Sequence, residues 1–491
     1  MAEAAYDAVV VGSGPNGLAA AVMLARAGLG VLVVEARATA GGGCRSGPLT
    51  LPGFVHDHCS TAHPLGAGSP FLRSLPLDRH GLRWIQPEAP LAHALRPGRA
   101  VLLERSLDAT ATALGEDGPR YDRLLRPFVD RFGDLAPMVL GPVRLPDHPL
   151  LLARLGWRGL RSMRALARTF TGEPARALLA GIAAHAMVPL TAPATAAFAL
   201  VLGAAAHAVG WPVAAGGSQA IADALVAHLR ELGGRLECER EVESLASLPR
   251  ARAYLLDLTP RQVLRIASER LSASYRRRLE RYRYGPGVFK LDWALDAPIP
   301  WSDPGCARAG TVHLAGTEPE VVAAEAAVHA GRVPERPFVL VVQPSRFDAS
   351  RAPRGKHTAW AYCHVPHGWE GDAAAAVEEQ IERHAPGFHD VIAARATRSA
   401  PEMERYNPNY VGGDINGGVA DLRQLLFRPM PRLDPYTTSA PDVFLCSSST
   451  PPGGGVHGMC GYWAARSVLR RVFGRTPAPL PSLRAGAARG S

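Results

Sequence analysis

Tyr6-Asp7-Ala8-Val9-Val10-Val11-Gly12-Ser13-Gly14-Pro15-Asn16-Gly17 is the stretch on which the reading turns. The Val-rich run predicts a strand ending at Val11, and a Gly-x-Gly-x-x-Gly loop follows at once. Leu18 to Ala27 has helical composition, Gly28 ends it, and Gly30 to Val34 predicts a second strand. Glu35 stands eighteen residues beyond Gly17. In such a unit the first glycine permits the tight turn, the second lets backbone approach a pyrophosphate, and the third lets helix pack on strand. The N-terminus of that helix offers unpaired N–H groups to phosphate oxygens. An acid at Glu35 accepts from ribose hydroxyls. Strand, glycine loop, helix, strand and acid in this order predict a Rossmann-type dinucleotide site.

Two further glycine clusters extend the pattern. Ala36 and Arg37 lead to Gly41-Gly42-Gly43-Cys44-Arg45. Near the other end, Asp442 to Cys446 predicts a strand and Ser447 to Gly458 a small-residue loop. That loop contains Gly454, Gly455 and Val456, and a helix from Met459 to about Phe473 follows it. Strand, glycines and helix N-terminus make a second dipole-binding end. The acid followed by a second glycine cluster resembles the extended FAD signature of the flavin amine oxidase superfamily, and the C-terminal segment resembles that of its phytoene-desaturase-like members. The basic residue that often follows the family's double glycine stands later here, at Arg45, with Gly43 in its place.

The resemblance implies FAD as cofactor, bound by Gly12, Gly14, Pro15, Asn16, Gly17, Glu35, Ala36, Gly42, Gly43, Arg45, Gly454, Gly455, Val456 and Met459. Val242, on the strand expected over Arg235–Leu245, matches the family residue that lies against adenine. The implied fold class is α/β, a discontinuous Rossmann-type FAD-binding domain with a mixed-sheet substrate domain and a helical insertion. On this reading 1–75, 213–279 and 416–474 build the FAD domain. Residues 76–212 form a largely helical part of the substrate domain, 280–415 its mixed sheet, and 475–491 a disordered tail. Helices are expected at 150–168, 174–187, 194–209, 319–330 and 373–384, and strands at 288–295, 311–315, 338–343 and 358–365. Ser218 is expected to cap the helix Gln219–Leu232.

Implied chemistry is hydride removal from a substrate C–H to flavin N5, with reoxidation by oxygen or a quinone. The substrate is a small hydrophobic molecule or an amine. A flavin amine oxidase is the enzyme alternative, and a non-enzymatic lipid-binding or escort protein the alternative of another class. Lys290, at the start of an expected strand, matches the lysine that holds water against flavin N5 in amine oxidases; a solvent-facing lysine is the plainer reading. Tyr462 matches an aromatic facing the flavin, or else packs on the sheet, as does Trp463. His58 is the candidate proton carrier.

Composition narrows the rest. The chain has 491 residues, 47% of them hydrophobic, enough for two or three lobes. Net charge is +10, and Lys290 and Lys356 are the only lysines. No dense basic run with interleaved aromatics appears, so a nucleic-acid partner is not expected. The Arg-rich stretch Tyr275–Tyr284 reads as an amphipathic helix, with a peripheral membrane role as the secondary reading. Seven scattered cysteines without a CxxC pair predict a reducing, cytoplasmic setting and no disulfide framework. His56, His58, Cys59 and His63 match no metal-ligand spacing, and no metal is expected. No signal peptide is read at Met1–Asp7, and Ala194–Trp211 reads as a buried helix rather than a span. The polar, glycine-rich stretch Asn407–Gly418 reads equally as a linker or a loop facing the flavin. Oligomeric state is not legible.

Overall fold

The Val-rich run forms β1 (Tyr6–Val11), whose last four residues are buried. In the computed structural model, which describes residues 5–477 and 480, the glycine loop hands the chain to α1 (Pro15–Arg26). Pro15 occupies its first turn, where a missing N–H leaves no helical bond unmade. β2 (Val31–Val34) returns parallel to β1, with Ala8 opposite Val31 and Val11 opposite Val34. Wholly apolar strands of this kind suit a parallel sheet covered on both faces.

The remaining strands of three or more residues, among the described residues, are β3 (Ala89–Arg96), β4 (Arg99–Leu103), β5 (Arg235–Glu237), β6 (Ala251–Leu256), β7 (Gly287–Leu295), β8 (Ala309–Leu314), β9 (Val339–Val342), β10 (His357–Val365), β11 (Ile392–Arg398) and β12 (Val443–Leu445). A five-stranded sheet runs β12-β6-β1-β2-β5, all neighbours parallel, and draws on three separate stretches of chain. A seven-stranded sheet runs β11-β7-β10-β9-β8-β3-β4, and only the β8–β3 pair is parallel. The hairpin β3–β4 therefore adds the first inserted stretch to the sheet of the second.

Helices α2 (Pro149–Gly159), α3 (Glu173–Ala183) and α4 (Thr195–Val209) pack together beside the mixed sheet. α5 (Gln219–Glu231) covers α1, α6 (Glu318–His329) packs on α3, and α7 (Met459–Arg471) lies against α1. The last contact is backbone on backbone: a Cβ at Gly461 would stand 1.8 Å from the Asn16 carbonyl oxygen. No helix of the described residues is long and apolar enough to cross a membrane.

Local details differ from expectation in three places. The helix expected at 150–168 is two, because Ser162 caps a new helix by accepting from the Ala165 N–H at 3.2 Å. The strand expected to reach Leu245 ends at Glu237, and Glu239 turns the chain with φ 57°. Ser218 does not cap α5. Its hydroxyl bonds the Ser60 carbonyl, while Ser46 Oγ accepts from the Gln219 N–H at 3.1 Å. The disordered tail expected at 475–491 falls largely outside the described residues; Arg475 itself donates its N–H to the Leu469 carbonyl at 2.8 Å.

Candidate functional site

A cavity of about 870 Å³ runs from the β1–α1 loop, past the C-terminal glycine loop, into the space between the mixed sheet and the helices. Its floor at one end is bare backbone. A Cβ on Gly14 would stand 2.6 Å from Asp257 Oδ2, and one on Gly42 would stand 3.1 Å from the Gly14 Cα. Glu35 closes this end, accepting from the Ser13 N–H at 3.0 Å and the Arg37 N–H at 2.9 Å. Gly12, Gly14, Pro15, Asn16, Glu35, Ala36, Gly42, Gly43, Arg45, Val242, Gly454, Gly455 and Val456 all line the cavity. Gly17 and Met459 do not. Gly17 is pressed against β1, and the Met459 N–H donates to His457 Nδ1 at 3.0 Å.

That bond fixes the His457 tautomer with its proton on Nε2, and burial holds its pKa down at about 4. Its Nε2–H is turned to the backbone of Gly453 and Gly454, whereas Asn16 Oδ1 is buried without a partner. Both residues line the cavity. Buried polar atoms such as Asn16 Oδ1 are costly when left unmade unless a ligand completes them. With the bare floor and the carboxylate, this acceptor fits a dinucleotide.

Asp257, at the end of β6, was not singled out by sequence. It accepts from the Gly17 N–H at 2.9 Å in the middle of the loop. Burial, with Glu35 nearby, raises its pKa to about 7. The folded state thus holds a proton that the unfolded chain releases near pH 4, so this group's contribution weakens as pH rises from 4 to 7. Asp257→Asn keeps an acceptor for Gly17 and removes the titration. Denaturant stability of the wild type should fall between pH 5 and 8 by about 2–4 kcal/mol relative to the variant; parallel pH profiles would show that Asp257 does not titrate there.

The three candidate catalytic side chains stand off the cavity lining. Lys290 is buried, its ammonium bonded to Asp292 and 4.9 Å from the centre of the Trp360 ring. Burial pushes its pKa down, and Asp292 opposes that shift. Trp360 is the residue that lines the cavity, its Nε1 donating to Thr61 Oγ1 at 2.7 Å. The His58 ring stacks on Tyr406 at 4.8 Å, and burial together with Arg398 keeps it neutral, with a pKa of about 3. Tyr462 packs on Phe71, and its hydroxyl accepts from Arg466 Nη1 at 2.9 Å. The histidine group near the glycines is dispersed: His56 Nε2 pairs with Thr50 Oγ1, and His63 Nε2 with Ser218 Oγ. A separate surface trio, His80, His228 and Glu231, brings its polar atoms within 4.8 Å of one another, away from the cavity.

The Asn407–Gly418 stretch is more than a linker. Asn407 to Tyr410 and Ile415 to Gly417 line the cavity, and Asn409 Nδ2 donates to the Asp257 carbonyl at 3.0 Å. The far half of the cavity is walled by Leu140, Leu152, Val201, Trp211, Leu340 and Tyr362. Its polar feature is His185, whose Nε2 is 3.1 Å from His313 Nε2. The lining acids, Glu35, Glu241 and Asp257, all belong to the glycine end.

A parallel sheet with a glycine-floored crevice, joined to a mixed sheet over one continuous cavity, is an architecture suited to a dinucleotide. Residues 10–75 match the model of the NAD(P)-binding Rossmann-like domain family. Over 555 aligned positions the chain is 27% identical to pyridine nucleotide-disulfide oxidoreductase domain-containing protein 2 of Rattus norvegicus, covering 95% of this chain and 93% of that one. Among solved structures, an oxidoreductase from Methanosarcina mazei superposes with a TM-score of 0.61 at 16% identity, covering 94% of this chain and 99% of that one. Putrescine oxidase bound to putrescine superposes at 0.59 and 17% identity, covering 96% and 99%. The match to the family model is confined to the N-terminal segment, whereas the fold of the whole chain is shared with the oxidoreductase from Methanosarcina mazei and with putrescine oxidase.

Proposed function

We propose that the protein is an FAD-dependent oxidoreductase that removes hydride from a C–H bond of a small hydrophobic substrate. The observation that carries this reading is the single cavity with two unlike halves, a glycine and carboxylate cradle continuous with an apolar chamber. When bound, the flavin supplies the redox chemistry, accepting hydride at N5 and passing electrons to oxygen or a quinone. The chain's residues position and enclose the reactants. Glu35, Gly14, Gly42 and Gly43 would hold the dinucleotide, with Val242 on the adenine side, and Asn16 Oδ1 would complete a polar contact at the wall. Leu140, Leu152, Trp211 and Tyr362 exclude water from the substrate half. Lys290 acts on that half through the face of Trp360 rather than by contact, and the His185–His313 pair offers a neutral hydrogen-bonding handle. An amine substrate is the weaker reading, because the chamber's wall offers no carboxylate to an ammonium group.

The test is the absorbance spectrum of the purified protein before and after denaturation, followed by anaerobic titration with hydrophobic alkenes or alcohols and with amines. Oxidised-flavin bands released on unfolding, and bleached by a hydrophobic substrate, are expected. A colourless protein that added FAD does not reconstitute would overturn the proposal.

A further inference from the structure

The cavity reaches solvent at two ends of opposite character. At the dinucleotide end the exposed lining residues include Arg37, Glu241 and Arg265. At the other they are Val143, Leu160 and Leu426, together with Arg144, each both lining and exposed, and so marking a mainly apolar mouth with a cationic edge. Helix α2 frames that mouth with two apolar stripes. Leu151, Leu155 and Gly159 are buried at four-residue spacing. Leu150 and Trp157, seven residues apart on another face, are 84% and 83% exposed. Leu145 at 92%, Val143 at 72% and Leu160 at 55% continue the patch. A helix that turns one apolar stripe inward should carry polar residues outside, and large clustered apolar exposure marks an interaction surface.

The surrounding charge is mainly positive, with Asp134, paired to Arg131 and His148, at its edge. From 141 to 168 there are six arginines (144, 154, 158, 161, 164 and 168) against one acid, Asp147. Arg144 pairs with Asp147 at 3.2 Å, while Arg154, Arg161, Arg164 and Arg168 lie exposed beside the patch. Exposed leucine and tryptophan within a ring of arginine is the chemistry of a helix lying in the plane of an anionic bilayer. A second copy of the same face would bring arginine against arginine, which disfavours self-association.

We propose that α2 and the loop before it dock on an anionic lipid bilayer, with Leu145, Leu150 and Trp157 in the headgroup region and the apolar mouth facing the membrane. The second clause, that substrate passes from lipid to cavity without crossing water, rests on the hydrophobic-substrate reading above; the docking does not. The test is flotation of the full-length holoprotein with vesicles of phosphatidylcholine alone or mixed with phosphatidylglycerol, at low and high salt. The wild type should float with the mixed vesicles and be released by salt. The double variant Leu150→Gln/Trp157→Gln should partition about tenfold more weakly. Both side chains are solvated and off the cavity lining, so flavin content and melting temperature should be unchanged. Equal flotation of variant and wild type would overturn the proposal, as would failure of the wild type to float with anionic vesicles. A wild-type dimer in light scattering that the same substitutions dissociate, without flotation, would overturn it in favour of a second copy. Flavin reduction by a solvent-delivered substrate, read without vesicles, judges the enzymatic reading separately.

Discussion

Gly17→Ala is expected to purify without flavin and to lose several degrees of melting temperature. The Cβ of the new alanine would stand 2.1 Å from the Gly12 carbonyl oxygen and 3.0 Å from Asp257 Oδ2. Neither neighbour can swing aside, since one is backbone and the other accepts from the Gly17 N–H. Helix α1 must therefore lift from β1, and overpacking of this kind costs about 1–3 kcal/mol, occasionally more. The functional loss is larger than the stability loss. Lifting the helix moves the N–H groups at its start, and FAD affinity should fall by about 100-fold or more if two charge-assisted hydrogen bonds are lost. Gly28→Ala is the control. Gly28, unlike Gly17, has a left-handed φ, of 76°, and nothing among the described residues stands within 4 Å of its Cβ position. Only backbone strain of about 1 kcal/mol is expected there, with flavin retained. The ratio of visible to protein absorbance in the two variants, with their melting temperatures, checks both expectations. Flavin at wild-type level in Gly17→Ala would mean that the helix start does not hold the cofactor.

The contrast between these glycines shows what the sequence could tell. The spacing of Gly12, Gly14 and Gly17 carries meaning because helix, loop and strand are contiguous, so local geometry decides it. Asp257 completes the same loop, yet it arrives from a strand 240 positions away, and no local pattern announces it. The C-terminal loop was legible in outline from its glycines, but the His457 tautomer depends on a backbone N–H two residues on and was not. Lys290 shows a reading that period-two alternation could have sharpened. In a strand, residues i and i+2 share a face, so Lys290 and Asp292 had to meet on one side of β7. Their mutual pairing leaves the ammonium committed to the aspartate and sheltered by Trp360. Tyr462, suggested by its position along the resembled motif, and His58, suggested by its place in a histidine cluster after the glycines, both found ring partners elsewhere, in Phe71 and Tyr406. Position along a motif is a property of the chain, whereas the direction of a side chain is a property of its neighbours. Ser218 makes the same point: serine before a helix is a good cap, but here its hydroxyl bonds the Ser60 carbonyl and Ser46 satisfies the helix instead.

Asp57→Ala should give the largest loss of stability of any single change away from the glycine loop. Asp57 and Arg351 are both fully buried, with the Arg351 Nη2 donating to Asp57 Oδ2 at 2.9 Å. The same carboxylate accepts from Ser46 Oγ at 2.6 Å, Thr61 Oγ1 at 2.6 Å and the Ser218 N–H at 2.8 Å. It therefore ties the stretch after the second glycine cluster to the start of α5 and to the second inserted stretch. Burial alone would raise its pKa, but the Arg351 charge and the hydroxyl donors outweigh burial and hold it well below the ordinary carboxylate range. Such a group stabilises fully above its unfolded pKa, and its contribution is lost as pH falls through the folded value. Acid should accordingly destabilise the wild type below about pH 4, and Asp57→Ala should remove this part of the acid response. At neutral pH, deleting one partner of a buried pair costs about 3–5 kcal/mol, because the other charge stays buried. Asp348 Oδ2, 3.2 Å from Arg351 Nε, softens that penalty without removing it. The double variant Asp57→Ala/Arg351→Met separates the terms. If the uncompensated guanidinium dominates, the double variant loses less than the sum of the two single changes, with a coupling of about 1–3 kcal/mol. It will not return to wild-type stability, since Ser46, Thr61 and the Ser218 N–H still lack their acceptor. Denaturant titration of the three proteins decides this, and additive losses would mean that the pair acts only through its separate hydrogen bonds. Flavin content should fall in parallel in Asp57→Ala, because Thr61, which lines the cavity and accepts from Trp360, would lose the carboxylate that orients it.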